Sequence, residues 1–138
     1  TYLYYSGKPQ WEFGFGLSYT TFEYDNLKLN RDKLKDDKKL EVSLTVKNIG
    51  QFDGDEVVQL YLAYPESKIT RPIKQLKRFK RVGIEKGDRE KIKFTLSKDD
   101  LKYWSTAKQD WAVESGAVKV MIGASSSDIR LSKTFYVE

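Results

Sequence analysis

Leu40, Val42, Leu44 and Val46 alternate with Glu41, Ser43, Thr45 and Lys47. A period of two gives one apolar and one wet face only to an extended chain, so this segment predicts a half-buried strand. Ile92, Phe94 and Leu96 repeat the pattern against Lys91, Lys93 and Thr95, and Val118, Val120 and Ile122 follow Ser115-Gly116. Leu131, Phe135 and Val137 mark a closing strand. Between these runs stand Asn48-Ile49-Gly50, Asp53-Gly54, Lys86-Gly87-Asp88 and Ser115-Gly116, residue types that supply the backbone freedom of tight turns. Only Ser97 to Trp104 reads as helical, barely two turns, with Ser97 as N-cap and Asp100 at the third position. Short strands, frequent turns and almost no helix predict an all-β fold, an immunoglobulin-like antiparallel β-sandwich of about seven strands with one short helical turn.

Two segments break the simple pattern. Ile73, Leu76, Phe79 and Val82 recur every three residues, a spacing that fits neither strand nor helix and predicts an extended segment with a bulge or bend. In Val57 to Tyr64, Val58, Leu60, Leu62 and Tyr64 fill one face while Val57, Tyr61 and Ala63 make the other largely apolar. A strand apolar on both faces needs cover on both sides. That cover is either the aromatic stretch Tyr2, Tyr4, Tyr5, Trp11, Phe13, Phe15 and Tyr19, or a separate partner.

At 138 residues the chain is one domain, long enough to bury roughly two-thirds of the surface its unfolded form exposes. No apolar run approaches the roughly 18 residues of a membrane span, and the start lacks a signal pattern. The sequence opens at Thr1 inside the aromatic stretch without a methionine, so polypeptide upstream is expected. It assigns no compartment. Cysteine and histidine are both absent, which excludes a Ser-His-Asp triad, a Cys-His dyad and a conventional zinc site.

Catalysis would then fall to carboxylate pairs, as in glycosidases. Pairs such as Asp36-Asp37 and Asp99-Asp100 lie in polar turns, and no carboxyl is marked by the sequence as buried with a raised pKa. Asp53, Asp55 and Glu56 cluster at a turn and read as an ordinary acidic turn ahead of a calcium site. Gly14-Phe15-Gly16 lacks the strand, lysine and helix start of a phosphate loop. Arg71, Lys74, Lys77, Arg78, Lys80 and Arg81 form a basic stripe without an intervening acid, within a net charge of +5. The stripe reads as a solvated edge ahead of a nucleic-acid site. Trp104 and Trp111 are expected in the core, with stacking on sugar rings or a planar polymer as the alternative.

Four stretches carry a resemblance: FGFGLSYTTFEY from Phe13 to Tyr24, VKNIGQFDGDEVVQLYL from Val46 to Leu62, RPIKQLKRFKRV from Arg71 to Val82, and the run from Trp111 through Glu114, Gly116 and Gly123 to DIRL at Asp128 to Leu131. In this order and spacing the chain resembles the C-terminal fibronectin type III-like domain of family 3 glycoside hydrolases, the β-glucosidases, β-xylosidases and their relatives. Glu12 departs from the family's pattern, which leads one to expect proline there.

The resemblance implies a connector over residues 1–17 from a preceding α/β domain, a fibronectin type III-like domain over 18–138, and catalytic residues only upstream. The chain alone is then no enzyme, and neither catalytic residues, metal nor cofactor are expected in it. Its implied role is that of a non-catalytic accessory domain of a family 3 β-glycosidase, stabilising or docking onto the catalytic domains in carbohydrate hydrolysis, with Trp11, Phe13, Phe15, Val57, Tyr61 and Arg71 as the docking residues. The alternative is a stand-alone module binding polysaccharide or a lignin-like polymer through Trp104 and Trp111. Neither reading involves nucleic acid or a membrane.

Overall fold

The structure, a computed structural model, describes residues 20–35, 37–69, 71 and 73–138. Trp11, Phe13, Phe15 and the expected boundary at residue 17 lie outside the described residues.

Among the described residues, seven strands of eight residues or more build two facing sheets: β1 (Phe22–Leu29), β3 (Leu40–Asn48), β4 (Gly54–Ala63), β5 (Gln75–Ile84), β6 (Arg89–Leu96), β9 (Gly116–Ser125) and β10 (Asp128–Val137). Three short strands complete the set, β2 (Lys33–Leu34), β7 (Tyr103–Ser105) and β8 (Asp110–Ala112). One sheet has the order β1-β3-β6, the other β2-β10-β9-β4-β5, and β7 pairs with β8 as a separate hairpin. The expected all-β sandwich is thus what forms.

Its core follows from the alternation. Leu40, Val42, Leu44 and Val46 of β3 are buried, as are Ile92, Phe94 and Leu96 of β6. Val58, Leu60, Leu62, Val118, Val120, Ile122, Phe135 and Val137 meet them from the larger sheet. Each such side chain, fully buried, contributes about 1.5–3 kcal/mol of transfer free energy.

Two details refine the expectation. Pairing is antiparallel except at β2, which runs parallel to the end of β10 through Tyr136↔Lys33 and Val137↔Leu34. The chain leaves β1 and crosses to the other sheet, where Leu34 closes the end of the core. The helical segment is only a 3-10 turn, Lys98–Leu101, followed by β7 rather than a second turn. Ser97 does stand at its N-cap, its N–H donating to Asp100 Oδ2 at 2.9 Å, and Leu101 buries the turn against the core.

The three-residue spacing resolves as a bulge. Leu60 pairs with Arg78 and Tyr61 with Leu76, which leaves Lys77 without a counterpart on β4. Residues directly opposite one another share a face. The extra residue therefore puts Leu76 and Phe79 on the same outer face, opposite Tyr61 and Gln59, while Val82 lies opposite Glu56 on the inner one.

Asn48 ties the two sheets together from a fully buried position. Its Nδ2 donates to the carbonyls of Phe52 and Ile84 at 2.8 and 2.9 Å, and its Oδ1 accepts from Thr20 Oγ1 and Gly50 N at 2.9 and 3.0 Å. Gly50 is required for close approach, since a Cβ there would lie 2.6 Å from the Thr21 backbone nitrogen.

Candidate functional site

Three regions gather the residues singled out by the sequence. The first is the outer face of the five-stranded sheet. Val57 and Tyr61 project from β4 away from the intersheet core, yet both are buried. Across the ladder, Tyr61 stands between Leu76 and Met121, and Gln59 between Phe79 and Gly123. Phe79 is 68% exposed and Leu76 48%, and Ile73, just ahead of β5, is 90% exposed. An open groove of about 330 Å³ adjoins them, lined by Ala63, Tyr64, Ile73, Lys74, Lys119 and Met121. The outer layer of a two-sheet sandwich is normally the wet one. Here it carries an apolar row over three strands.

The second region surrounds Arg71. Its side chain is only 8% exposed and lies 3.2 Å from Glu114 Oε1. The guanidinium stacks on Tyr64 at 3.8 Å and faces Tyr103 at 5.0 Å, while its Nε donates to Ser67 Oγ at 3.3 Å. Burial pushes the Glu114 carboxyl up, but donors from Lys68 N, Ser67 Oγ and Arg71 outweigh it and hold the group below the usual carboxylate range. Arg71 is thereby engaged inside the domain, pinning the segment before β5 to the one before β9.

The third region is the β7–β8 hairpin. Trp104 and Trp111 are cross-strand partners, packed edge to face with ring centroids 5.5 Å apart and planes at 81°. They are 49% and 58% exposed, which overturns the expectation that both lie in the core. Among the described residues, this hairpin outside both sheets has no second layer to cover them. An open groove of about 750 Å³ runs beside the pair and also takes in Tyr103, Gln75, Lys102 and Thr106.

The acidic turn disperses. Asp53 accepts from Lys86 N at 2.8 Å, Asp55 pairs with Arg81 at 2.7 Å, and Glu56 accepts from the Tyr24 hydroxyl at 2.9 Å. Among the described residues no group of three metal-ligating side chains converges. The basic stripe lies largely on β5, the edge of its sheet with β4 as its hydrogen-bonded neighbour. Charge on an edge strand discourages further strand addition.

Sequence reasoning missed one cluster. Burial raises the pKa of the Glu56 carboxyl, and burial together with Glu56 raises that of Tyr24. Arg130 lies 4.7 Å over the Tyr24 ring, donates to the Phe22 carbonyl at 2.7 Å and pairs with Asp128 at 3.0 Å. A raised carboxyl thus exists after all, used as a clamp between β1, β4 and β10. Missed too were Leu76 and Phe79 as surface residues, although their odd spacing was the visible signal.

The fibronectin type III-like domain family matches residues 56–126. A thermostable β-glucosidase B of Acetivibrio thermocellus is 41% identical over 139 residues, covering 99% of this chain and 18% of the relative. A β-glucosidase of Bacteroides ovatus is 38% identical, covering 93% of the chain and 17% of the relative. Among solved structures, a β-glucosidase of Kluyveromyces marxianus superposes with a TM-score of 0.82 at 41% identity, over 93% of this chain and 15% of that one. A family 3 β-glucosidase of Bifidobacterium adolescentis gives 0.80 at 35% identity, over 90% of this chain and 18% of that one. The chain therefore spans less than one-fifth of the length of these relatives. With fold, order of motifs and likeness in agreement, the chain belongs to the fibronectin type III-like domain family, in the form found within β-glucosidases of glycoside hydrolase family 3.

Proposed function

We propose that the chain is a non-catalytic accessory domain of a family 3 β-glycosidase of the β-glucosidase type, and that it stabilises the catalytic domains by docking onto them. The observation that carries this reading is the apolar row on the outer sheet face, with Phe79 68% exposed beside buried Val57 and Tyr61. Exposed apolar surface of this kind marks an interface. Its occupant is the remainder of the parent polypeptide, because in the relatives more than four-fifths of the chain lies outside the matching segment. The rim of the face carries Lys74 and Lys119, so the complementary surface is apolar with an acidic border. A module that binds only the folded catalytic domains raises their apparent stability by linkage.

The test is Phe79→Glu, made both in the 138-residue chain and in the parent enzyme. The substitution is expected to leave the thermal midpoint of the isolated chain nearly unchanged, because the ring is mostly in water. In the parent it is expected to lower the midpoint of the catalytic domains. An unchanged parent would overturn the docking reading.

A further inference from the structure

Beside the Trp104–Trp111 pair lies a second surface, distinct from the outer sheet face. Two half-exposed indoles flank a groove whose lining also includes Gln75, Thr106 and Tyr103, residues with an amide, a hydroxyl and an aromatic ring. Its volume, about 750 Å³, falls within the range of sites for small organic ligands. Aromatic faces with amide and hydroxyl groups at their border suit a ligand that is apolar on one side and hydrogen-bonding at its edge.

The charges narrow the class. Two cations line the groove, and both are already paired: Arg71 with Glu114 at 3.2 Å and Lys102 with Asp99 at 2.9 Å. The groove therefore lacks the uncompensated positive field that attracts phosphates or acidic polymers. An uncharged ligand fits it. A pyranose ring is such a ligand, with a C–H-bearing face for an indole and hydroxyls around its rim.

Shape narrows it again. With the ring planes at 81°, the two indoles form a corner and offer no shared flat platform. A crystalline polymer surface needs coplanar rings, whereas a corner receives one or two sugar units of a soluble chain. The corner is held by the hairpin itself: Ser105 Oγ accepts from Lys108 N at 3.2 Å, and the Gln109 amide donates to the Thr106 carbonyl at 2.9 Å.

We infer that the β7–β8 hairpin and its groove form a binding site for neutral, soluble oligosaccharides, with Trp104 and Trp111 as the stacking residues. This site is independent of the docking face, because it is tested on the 138-residue chain alone and on different residues.

The experiment is a titration of that chain with cellohexaose and with laminarihexaose, followed through the indole N–H signals in two-dimensional NMR. The chain holds three tryptophans, and the Trp104→Phe and Trp111→Phe variants assign the signals of the pair. Saturable shifts of the Trp104 and Trp111 signals are expected. Trp111→Ala is expected to weaken binding about tenfold or more, the scale of a lost aromatic stack. Trp111→Phe, which keeps a ring, should lose less, and this covers the case in which the alanine variant disturbs the hairpin. Absence of shifts up to about 10 mM sugar, a range that reveals Kd values near 1 mM, would overturn the inference. So would tighter retention on crystalline cellulose, polygalacturonate or lignin than by the two oligosaccharides.

Discussion

Arg71 and Glu114, separated by 43 residues in sequence, meet at 3.2 Å with the guanidinium stacked on Tyr64. Breaking one side of such a largely buried pair strands the other charge. Arg71→Ala is therefore expected to cost about 3 kcal/mol, read as a lower midpoint in urea. Arg71→Lys keeps the charge but loses the planar stack and the Nε donor, and should fall between alanine and the parent sequence.

The two perturbed glutamates predict pH dependences of opposite sign. Glu114 has a folded pKa below its unfolded value of about 4.3. Its contribution is present above that value and is lost as pH falls through the folded pKa. Glu56 has a folded pKa above its ordinary value because burial disfavours its charge. The unfolded chain ionises first, so stability falls as pH rises from about 4.3 through the raised folded value. Urea unfolding from pH 3 to 7 should show Glu114→Gln removing an acid-side loss and Glu56→Gln removing a fall on the higher-pH side. Two variants changing the curve in the same direction would contradict the assignment.

Asn48 makes four side-chain hydrogen bonds from a fully buried site. Asn48→Ala leaves the Phe52 and Ile84 carbonyls without that donor, at about 1–3 kcal/mol for each group left unsatisfied. Asn48→Asp should be no better, since a carboxylate cannot replace the two N–H donors. Chemical denaturation of both variants measures this.

Two glycines are expected to resist alanine for different reasons. At Gly123 a Cβ would lie 2.2 Å from the Asp128 carbonyl oxygen, so β10 must move and the loss should reach about 1–3 kcal/mol. At Gly87 the space is open but φ is +84°, and the loss is limited to the left-handed conformation, about 1 kcal/mol. Thermal melts that rank Gly87→Ala as the worse variant would count against this account.

Period-two patterning in β3, β6 and β9, and the glycine and asparagine turns between strands, were enough to read the sandwich, because a strand's facing depends on its own residues. The double apolarity of Val57 and Tyr61 was likewise visible in β4, and the spacing of Leu76 and Phe79 announced a bulge. Sequence could not say which face that bulge serves: the register against β4, with Lys77 left over, decides it. Nor could it place Trp104 and Trp111, whose exposure depends on a hairpin outside both sheets. Arg71 looked like a surface cation until Tyr64, Tyr103 and Glu114 enclosed it. Local pattern determined the strands, because side-chain direction alternates along each one. Only the tertiary structure decided which apolar and charged groups remain at the surface, because burial depends on neighbours brought together from distant parts of the chain.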